Sequence, residues 1–138
     1  MTDWHFATAY EIIADSIGDK PALICGDITR SWDEYDDRAA RIATVLTEHG
    51  LKPESKAGIY LHNSNEYLEV HHGVMKLRGC PINVNYRYRE DELVYLLNNA
   101  DAEAVIYQAC YADRIESIRE RLDKVKCFIQ VDDDSGNT

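Results

Sequence analysis

Apolar residues recur along this chain with two alternating periods, and the switches between them mark out its elements. Thr8 and Glu11 stand three positions apart at the head of an apolar stretch, Ile12, Ile13 and Ile17, that runs to Gly18. That spacing reads as a capping box closed by a left-handed glycine stop, and it predicts a first helix over 9–17. A short apolar run, 22–25, and a second short run, 29–32, flank Gly26-Asp27-Ile28 and predict a hairpin. Ser31 and Glu34 form a second capping-box pair. Tyr35, Ala39, Ile42 and Leu46 then fall on one helix face until Gly50 and Pro53 close it.

From residue 57 onward strands and helices alternate. The runs 57–61, 81–85, 104–107 and 127–131 have strand length, and Pro81 is acceptable only at the first position of its strand. The first of them is continuously apolar, the pattern of a strand buried on both faces. Between the strands lies a helix capped by Asn63 or Ser64, with Tyr67, Val70, Val74 and Leu77 as its stripe and Gly79 as its end. A helix over 90–99 turns Leu93, Leu96 and Leu97 inward, and one over 111–122 uses Ile115, Ile118 and Leu122. Short connections between such elements imply right-handed βαβ units. The fold class is therefore α/β: a doubly wound, mostly parallel sheet with helices on both faces, preceded by an N-terminal helix and a short hairpin. The polar, acidic stretch 132–138 is expected to be a flexible, frayed tail.

Composition narrows the function classes. A chain of 138 residues, 45% of them hydrophobic, buries enough surface to fold without a disulfide or metal staple. Its net charge of −10 opposes nucleic acid and anionic lipid as partners. No run approaches the roughly 18 apolar residues of a membrane span. The opening Met1-Thr2-Asp3-Trp4-His5 lacks the basic-then-apolar layout of a secretory signal, so the expected location is the cytoplasm. Cys25, Cys80, Cys110 and Cys127 are too widely spaced for a zinc knuckle or a redox pair, and are expected to be buried, reduced thiols.

Chemistry is scarce where an open parallel sheet would place it, beyond the carboxyl ends of its strands. Those positions carry His62-Asn63-Ser64-Asn65, Tyr86-Arg87-Tyr88-Arg89 and Gln108-Ala109-Cys110. None has the spaced glycines of a dinucleotide loop or the Lys-Ser/Thr of a phosphate loop. Glu69 and His72 have the spacing of half a di-iron carboxylate site, but no second Glu-x-x-His exists to complete it. The alternation of Tyr and Arg over 86–89 suits stacking on a base, yet Glu90, Asp91 and Glu92 neutralise it and form an acidic first helical turn, which favours packing and capping. None of the six serines sits in a Gly-x-Ser-x-Gly turn, and Asp132–Asp134 reads as a solvated run and not as a metal cage. No residue is assigned a catalytic, cofactor-binding or metal-ligating role.

The order of short blocks carries more than any one of them. Thr29-Arg30-Ser31-Trp32-Asp33-Glu34-Tyr35, the helix from Ala39 to Gly50, and Ile59-Tyr60-Leu61-His62-Asn63-Ser64-Asn65-Glu66 follow one another at set spacing. Lys76-Leu77-Arg78-Gly79 leads into Asn83-Val84-Asn85; Glu92-Leu93-Val94-Tyr95-Leu96-Leu97 and Asp101-Ala102-Glu103-Ala104-Val105-Ile106 complete the series. Together they resemble the N-terminal part of the AMP-binding, adenylate-forming superfamily, and within it the acyl-CoA synthetases or fatty-acid–CoA ligases. The form Asn83-Val84-Asn85-Tyr86-Arg87-Tyr88-Arg89 is most similar to members that activate fatty acids or sterol side-chain acids. Glu54-Ser55, His62 and Arg78 depart from the usual Gly-Asp, Pro and Ala of those blocks, all on caps and turns.

The resemblance implies a parent that joins a carboxylate to ATP, releases pyrophosphate and passes the acyl group to CoA, so ATP, magnesium and CoA are implied for that parent and not for these residues. The phosphate loop, adenine contacts, ribose-binding Asp and adenylation Lys of such enzymes have no matching position here. Residues 1–131 are accordingly expected to be an N-terminal subdomain, a piece of a longer protein and inactive alone. Its partners would be the remaining subdomains, with self-association of the piece itself. The rival is a stand-alone flavodoxin-like or receiver-like module of the same alternation, which lacks here the acidic pair or the hydroxyl-rich first loop it needs.

Overall fold

The computed structural model describes residues 4–136. Residues 1–3 and 137–138, which hold the start of the N-terminal stretch and the end of the acidic tail, lie outside the described residues. Helix α1 spans Phe6–Ile17, and a hairpin of β1 (Pro21–Cys25) and β2 (Ile28–Ser31) follows. Then come α2 (Trp32–Glu48), β3 (Lys56–Tyr60), α3 (Asn65–Lys76), β4 (Cys80–Asn83), α4 (Glu90–Asn99), β5 (Ala102–Gln108), α5 (Ala112–Ile118) and β6 (Cys127–Val131).

The expected architecture is present. β1 and β2 pair antiparallel, while β3–β6 form one wholly parallel sheet in the order β4-β3-β5-β6. The chain steps from β3 outward to β4, then crosses back to β5 on the far side of β3. The crossovers leave one core between the sheet and α2 with α3, where Leu46, Val70 and Val74 meet Ile59, Leu61 and Ile106. A second core forms under α4 and α5, where Leu93, Leu97, Ile115 and Ile118 meet Tyr60 and Val105. β3 is buried on both faces from Ala57 onward. Each fully buried Leu or Ile here contributes about 1.5–3 kcal/mol relative to an exposed one.

Local signals explain the best-defined ends. Ser31 Oγ accepts from Glu34 N (3.2 Å) and Glu34 Oε2 accepts from Ser31 N (2.8 Å), the reciprocal bonds of a capping box. Ser64, not Asn63, caps α3 by accepting from Tyr67 N. Where α2 and α3 cross, a Cβ on Gly73 would lie 2.8 Å from Ile42 Cβ and 2.9 Å from the Ala39 carbonyl, so only glycine permits the approach.

Five expectations need correction. α1 begins at Phe6 and not at residue 9, because the His5 imidazole caps it by accepting from Ala7 N through Nδ1 (3.1 Å). Thr8 and Glu11 instead make tertiary contacts, with Arg78 and Lys76. Gly18 is right-handed (φ −53°), so no left-handed stop forms there; a Cβ would meet the exposed Asp33 carboxylate, which is free to turn aside. Pro81 is the second residue of β4; Cys80 N and Val84 N donate to the Ser55 and Ile59 carbonyls on the β3 side, so by alternation the missing Pro81 N–H faces outward from an edge strand. The helix expected over 111–122 is only Ala112–Ile118, flanked by single 3-10 turns. Finally, only Cys127 is buried; Cys25, Cys80 and Cys110 are exposed, at a hairpin turn, an edge-strand start and a 3-10 turn.

Candidate functional site

The reversal of strand order puts a topological switch point between β3 and β5, where open parallel sheets take their ligands. The segments beyond those two strands meet there, and their side chains fill the space. His62 N donates to Gln108 Oε1 (3.3 Å), and His62 Nε2 lies 2.6 Å from Tyr111 Oη. The Tyr86 and Tyr111 rings each stand edge-on to His62, at 5.1 and 5.4 Å between centroids. Tyr60, the last residue of β3 and fully buried, stacks on Tyr111 at 4.6 Å.

One buried hydroxyl organises the floor of this crevice. Tyr60 Oη lies 2.8 Å from the Tyr88 carbonyl and 3.1 Å from the Tyr86 carbonyl, and accepts from Arg114 Nη1 at 2.7 Å. The Tyr-Arg-Tyr-Arg stretch thus packs and caps, as its charge balance predicts. Tyr86 and Tyr88 give main-chain carbonyls to Tyr60, while Arg89 N donates to Glu92 Oε2 at the head of α4 (2.8 Å). Arg87 remains at the surface over the Tyr86 ring.

Burial raises the Tyr60 phenol and the Tyr111 phenol, so both stay protonated at neutral pH. Partial desolvation raises the Cys110 thiol, and the Asp133 carboxylate beside it adds to the effect, which disfavours the thiolate a nucleophile would need. The exposed remainder is a shallow hollow bounded by His62, Asn63 and Tyr86. A larger hollow against α1 is lined by Trp4, His5, Phe6 and Ala9 and brings no set of reactive groups together. Among the described residues no cluster of three or more His, Cys, Asp or Glu could hold a metal ion. Asp133 is committed elsewhere: its carboxylate accepts from Cys110 N and Ser135 N.

Glu69 and His72, half of a metal motif by spacing, are both buried but point to different partners. Glu69 Oε1 forms ion pairs with Arg38 Nε (2.7 Å) and Arg30 Nε (3.4 Å), joining α3 to α2 and the hairpin. His72 Nε2 faces Asp36 Oδ1 (3.3 Å) between the Tyr10 and Tyr35 rings; burial lowers its pKa and keeps it neutral. Lys76 Nζ bridges Glu11 and Asp36, each at 2.8 Å. These buried networks hold elements together and escaped sequence reasoning, because Arg30 and Glu69 are 39 positions apart.

Residues 11–138 match the AMP-binding enzyme family. The chain is 33% identical over 131 residues to the medium/long-chain-fatty-acid–CoA/3-oxocholest-4-en-26-oate–CoA ligase of Mycobacterium tuberculosis (strain ATCC 25618 / H37Rv), covering 95% of this chain and 24% of that one. It is 34% identical over 129 residues to the 3-oxocholest-4-en-26-oate–CoA ligase of Rhodococcus rhodochrous, covering 94% and 23%. It spans about a quarter of the length of these relatives. The fold is shared with the N-terminal domain of FACL13 from Mycobacterium tuberculosis (TM-score 0.85, 23% identity, 93% of this chain and 34% of that one). It is also shared with the anthranilate CoA ligase AuaEII, solved with anthranoyl-AMP (TM-score 0.87, 20% identity, 93% and 25%). Among the described residues no helix is long and apolar enough to cross a membrane. The chain belongs to the AMP-binding enzyme family, and what it matches in the acyl-CoA ligases is an N-terminal portion.

Proposed function

We propose that this chain is the scaffold subdomain of a cytoplasmic, ATP-dependent acyl-CoA ligase whose substrate is a fatty acid or a sterol side-chain acid. In that reaction a carboxylate attacks ATP to give an acyl-adenylate and pyrophosphate, and CoA then displaces AMP to give the thioester. The observation that carries the reading is the identity, sustained over 95% of the chain, with ligases of both acid classes. The narrowed crevice supports the scaffold role, because His62, Gln108 and Tyr111 are bonded to one another where the fold would take a ligand. ATP, magnesium and CoA then belong to other parts of the parent, and this piece alone is inactive. By itself it also self-associates at high concentration, since Trp4, Phe6, Ile24 and Tyr95 are each more than 70% exposed.

The test is calorimetry of the purified chain against ATP with Mg²⁺, AMP, and a non-hydrolysable acyl-adenylate analogue. The expected result is no saturable heat at or below about 1 mM ligand. A micromolar site for any of the three, or turnover of ATP that tracks the protein through purification, refutes the scaffold reading.

A further inference from the structure

Helix α1 is held to α2 and α3 more by polar contacts than by burial. Its fully buried residues are only Ala7 and Ala14, while Trp4, Phe6 and Ile12 are exposed, and none of its residues belongs to either core of the sheet. Arg78 Nη2 donates to Thr8 Oγ1 (3.1 Å), Lys76 Nζ pairs with Glu11 (2.8 Å), and the Tyr10 ring stands edge-on to the His72 imidazole at 5.2 Å. Two imidazoles sit at this junction, and the geometry of each excludes a proton on Nδ1. His5 Nδ1 accepts from Ala7 N (3.1 Å) as the cap of α1. An imidazolium has no lone pair to offer there, and its charge would meet the positive end of the helix dipole.

His72 is 1% exposed. Its Nε2 faces Asp36 Oδ1 (3.3 Å), which puts the ring proton on Nε2, and its Nδ1 has no hydrogen-bond partner among the described residues. A second proton would bury an N–H that nothing accepts. The titratable groups facing this ring are Tyr10 and Glu11 on α1, Tyr35 and Asp36 on α2, and Lys76 on α3 itself. Asp36 favours a charged His72, but Lys76 already bonds Asp36 at 2.8 Å, and its ammonium opposes a second cation beside it. Glu69, one turn back on α3, is turned to Arg30 and Arg38.

We propose that α1 is an acid-releasable helix, clasped to the body by two imidazoles that both have to be neutral, and that protonating them undocks it while the parallel sheet stays folded. Burial holds the docked His72 below its ordinary value of 6.5, so the docking it supports is complete above that value and drains away as pH falls below it. A histidine that stays neutral while docked, and takes up its proton once undocked, weakens docking about eightfold between pH 7 and about 5.5. Two such histidines weaken it about sixtyfold. The clasp is built from residues of this chain alone and is independent of the reaction its relatives run.

Backbone amide exchange between pH 7 and about 5.5, corrected for the intrinsic rate at each pH, reads the opening of each element separately and stays above the ordinary carboxylate range. The expected result is that α1 amides lose about eightfold to sixtyfold in protection while β3 and β5 amides keep theirs. Nitrogen-15 spectra of the unmodified chain should find His72 neutral at pH 7 with its proton on Nε2. His5→Asn supplies a capping acceptor that does not titrate, leaves the buried site untouched, and makes the loss shallower. His5→Asn with His72→Gln abolishes it. Protection of α1 that does not change with pH, a loss shared equally by the sheet, a His72 already charged at pH 7, or a loss that His5→Asn leaves unchanged overturns the inference. So does a loss that persists in the double variant, which would belong to His71, the neighbour that burial also pushes toward neutrality.

Discussion

Tyr60→Phe removes one oxygen from the interior, and the structure fixes what that costs. The ring stays, stacked on Tyr111, so packing is conserved and no cavity opens. The single phenolic proton is shared between two carbonyls, with Tyr88 the nearer at 2.8 Å, which makes one neutral hydrogen bond worth about 1 kcal/mol. The bond accepted from Arg114 at 2.7 Å is charge-assisted and worth about 1.5–3 kcal/mol. Part of that is recovered, because the Arg114 side chain is 25% exposed and still reaches the Tyr88 carbonyl at 3.1 Å. The Tyr86 carbonyl belongs to a residue 43% exposed and regains water. The expected net loss is about 1.5–3 kcal/mol; with a urea m-value near 1.5–2 kcal/mol/M, the midpoint falls by about 1–2 M at unchanged slope.

A double-mutant cycle with Arg114→Met isolates the shared bond, and a coupling of about 1 kcal/mol is expected. A Tyr60→Phe variant within about 0.5 kcal/mol of the parent, or a strictly additive cycle, refutes the account of a hydroxyl that holds the strand-end segments together.

Gly73→Ala forces a methyl against Ile42 and the Ala39 carbonyl and is expected to cost about 1–3 kcal/mol in thermal or urea unfolding; an unchanged melting temperature contradicts the close crossing of α2 and α3. The Asp133 carboxyl is held down to about 2, first by its bond with Ser135 and then by the Cys110 amide. The stabilisation it lends is complete above its ordinary value of 3.8 and drains away as pH falls through about 2. A carbon-13 titration should find that low midpoint, and Asp133→Asn should speed exchange of the Cys110 amide. A midpoint near 4 would show the carboxylate to be merely solvated.

Local chemistry was readable wherever a side chain acts on its own neighbourhood. Glu90, Asp91 and Glu92 mark the first turn of α4, and Ser31 with Glu34 mark that of α2, because Glu92, Ser31 and Glu34 serve amides three residues away and acidic charge suits a helix start. Thr8 and Glu11 misled for the opposite reason: their spacing is that of a cap, but their partners, Arg78 and Lys76, lie 70 and 65 residues on. α5 was overextended since Ile115, Ile118 and Leu122 all face inward from what is a helix followed by a 3-10 turn, and apolar spacing does not separate the two. The strand ends are readable as the place for a ligand, but which two flank the crevice depends on the strand order, and its narrowing on His62 meeting Tyr111 across 49 residues, which no local pattern encodes. Three thiols proved exposed because burial at a turn or an edge is set by what lies opposite in space.

The order in which the strands join the sheet has a consequence for birth on the ribosome. β3 and β4 can zip together early, yet the other flank of β3, the most deeply buried strand, waits for β5, whose last residue emerges 48 positions after Tyr60. At ordinary elongation speeds the nascent polypeptide carries that sticky flank bare for roughly 2–10 s. Chaperones that patrol the exit tunnel would find their binding window there.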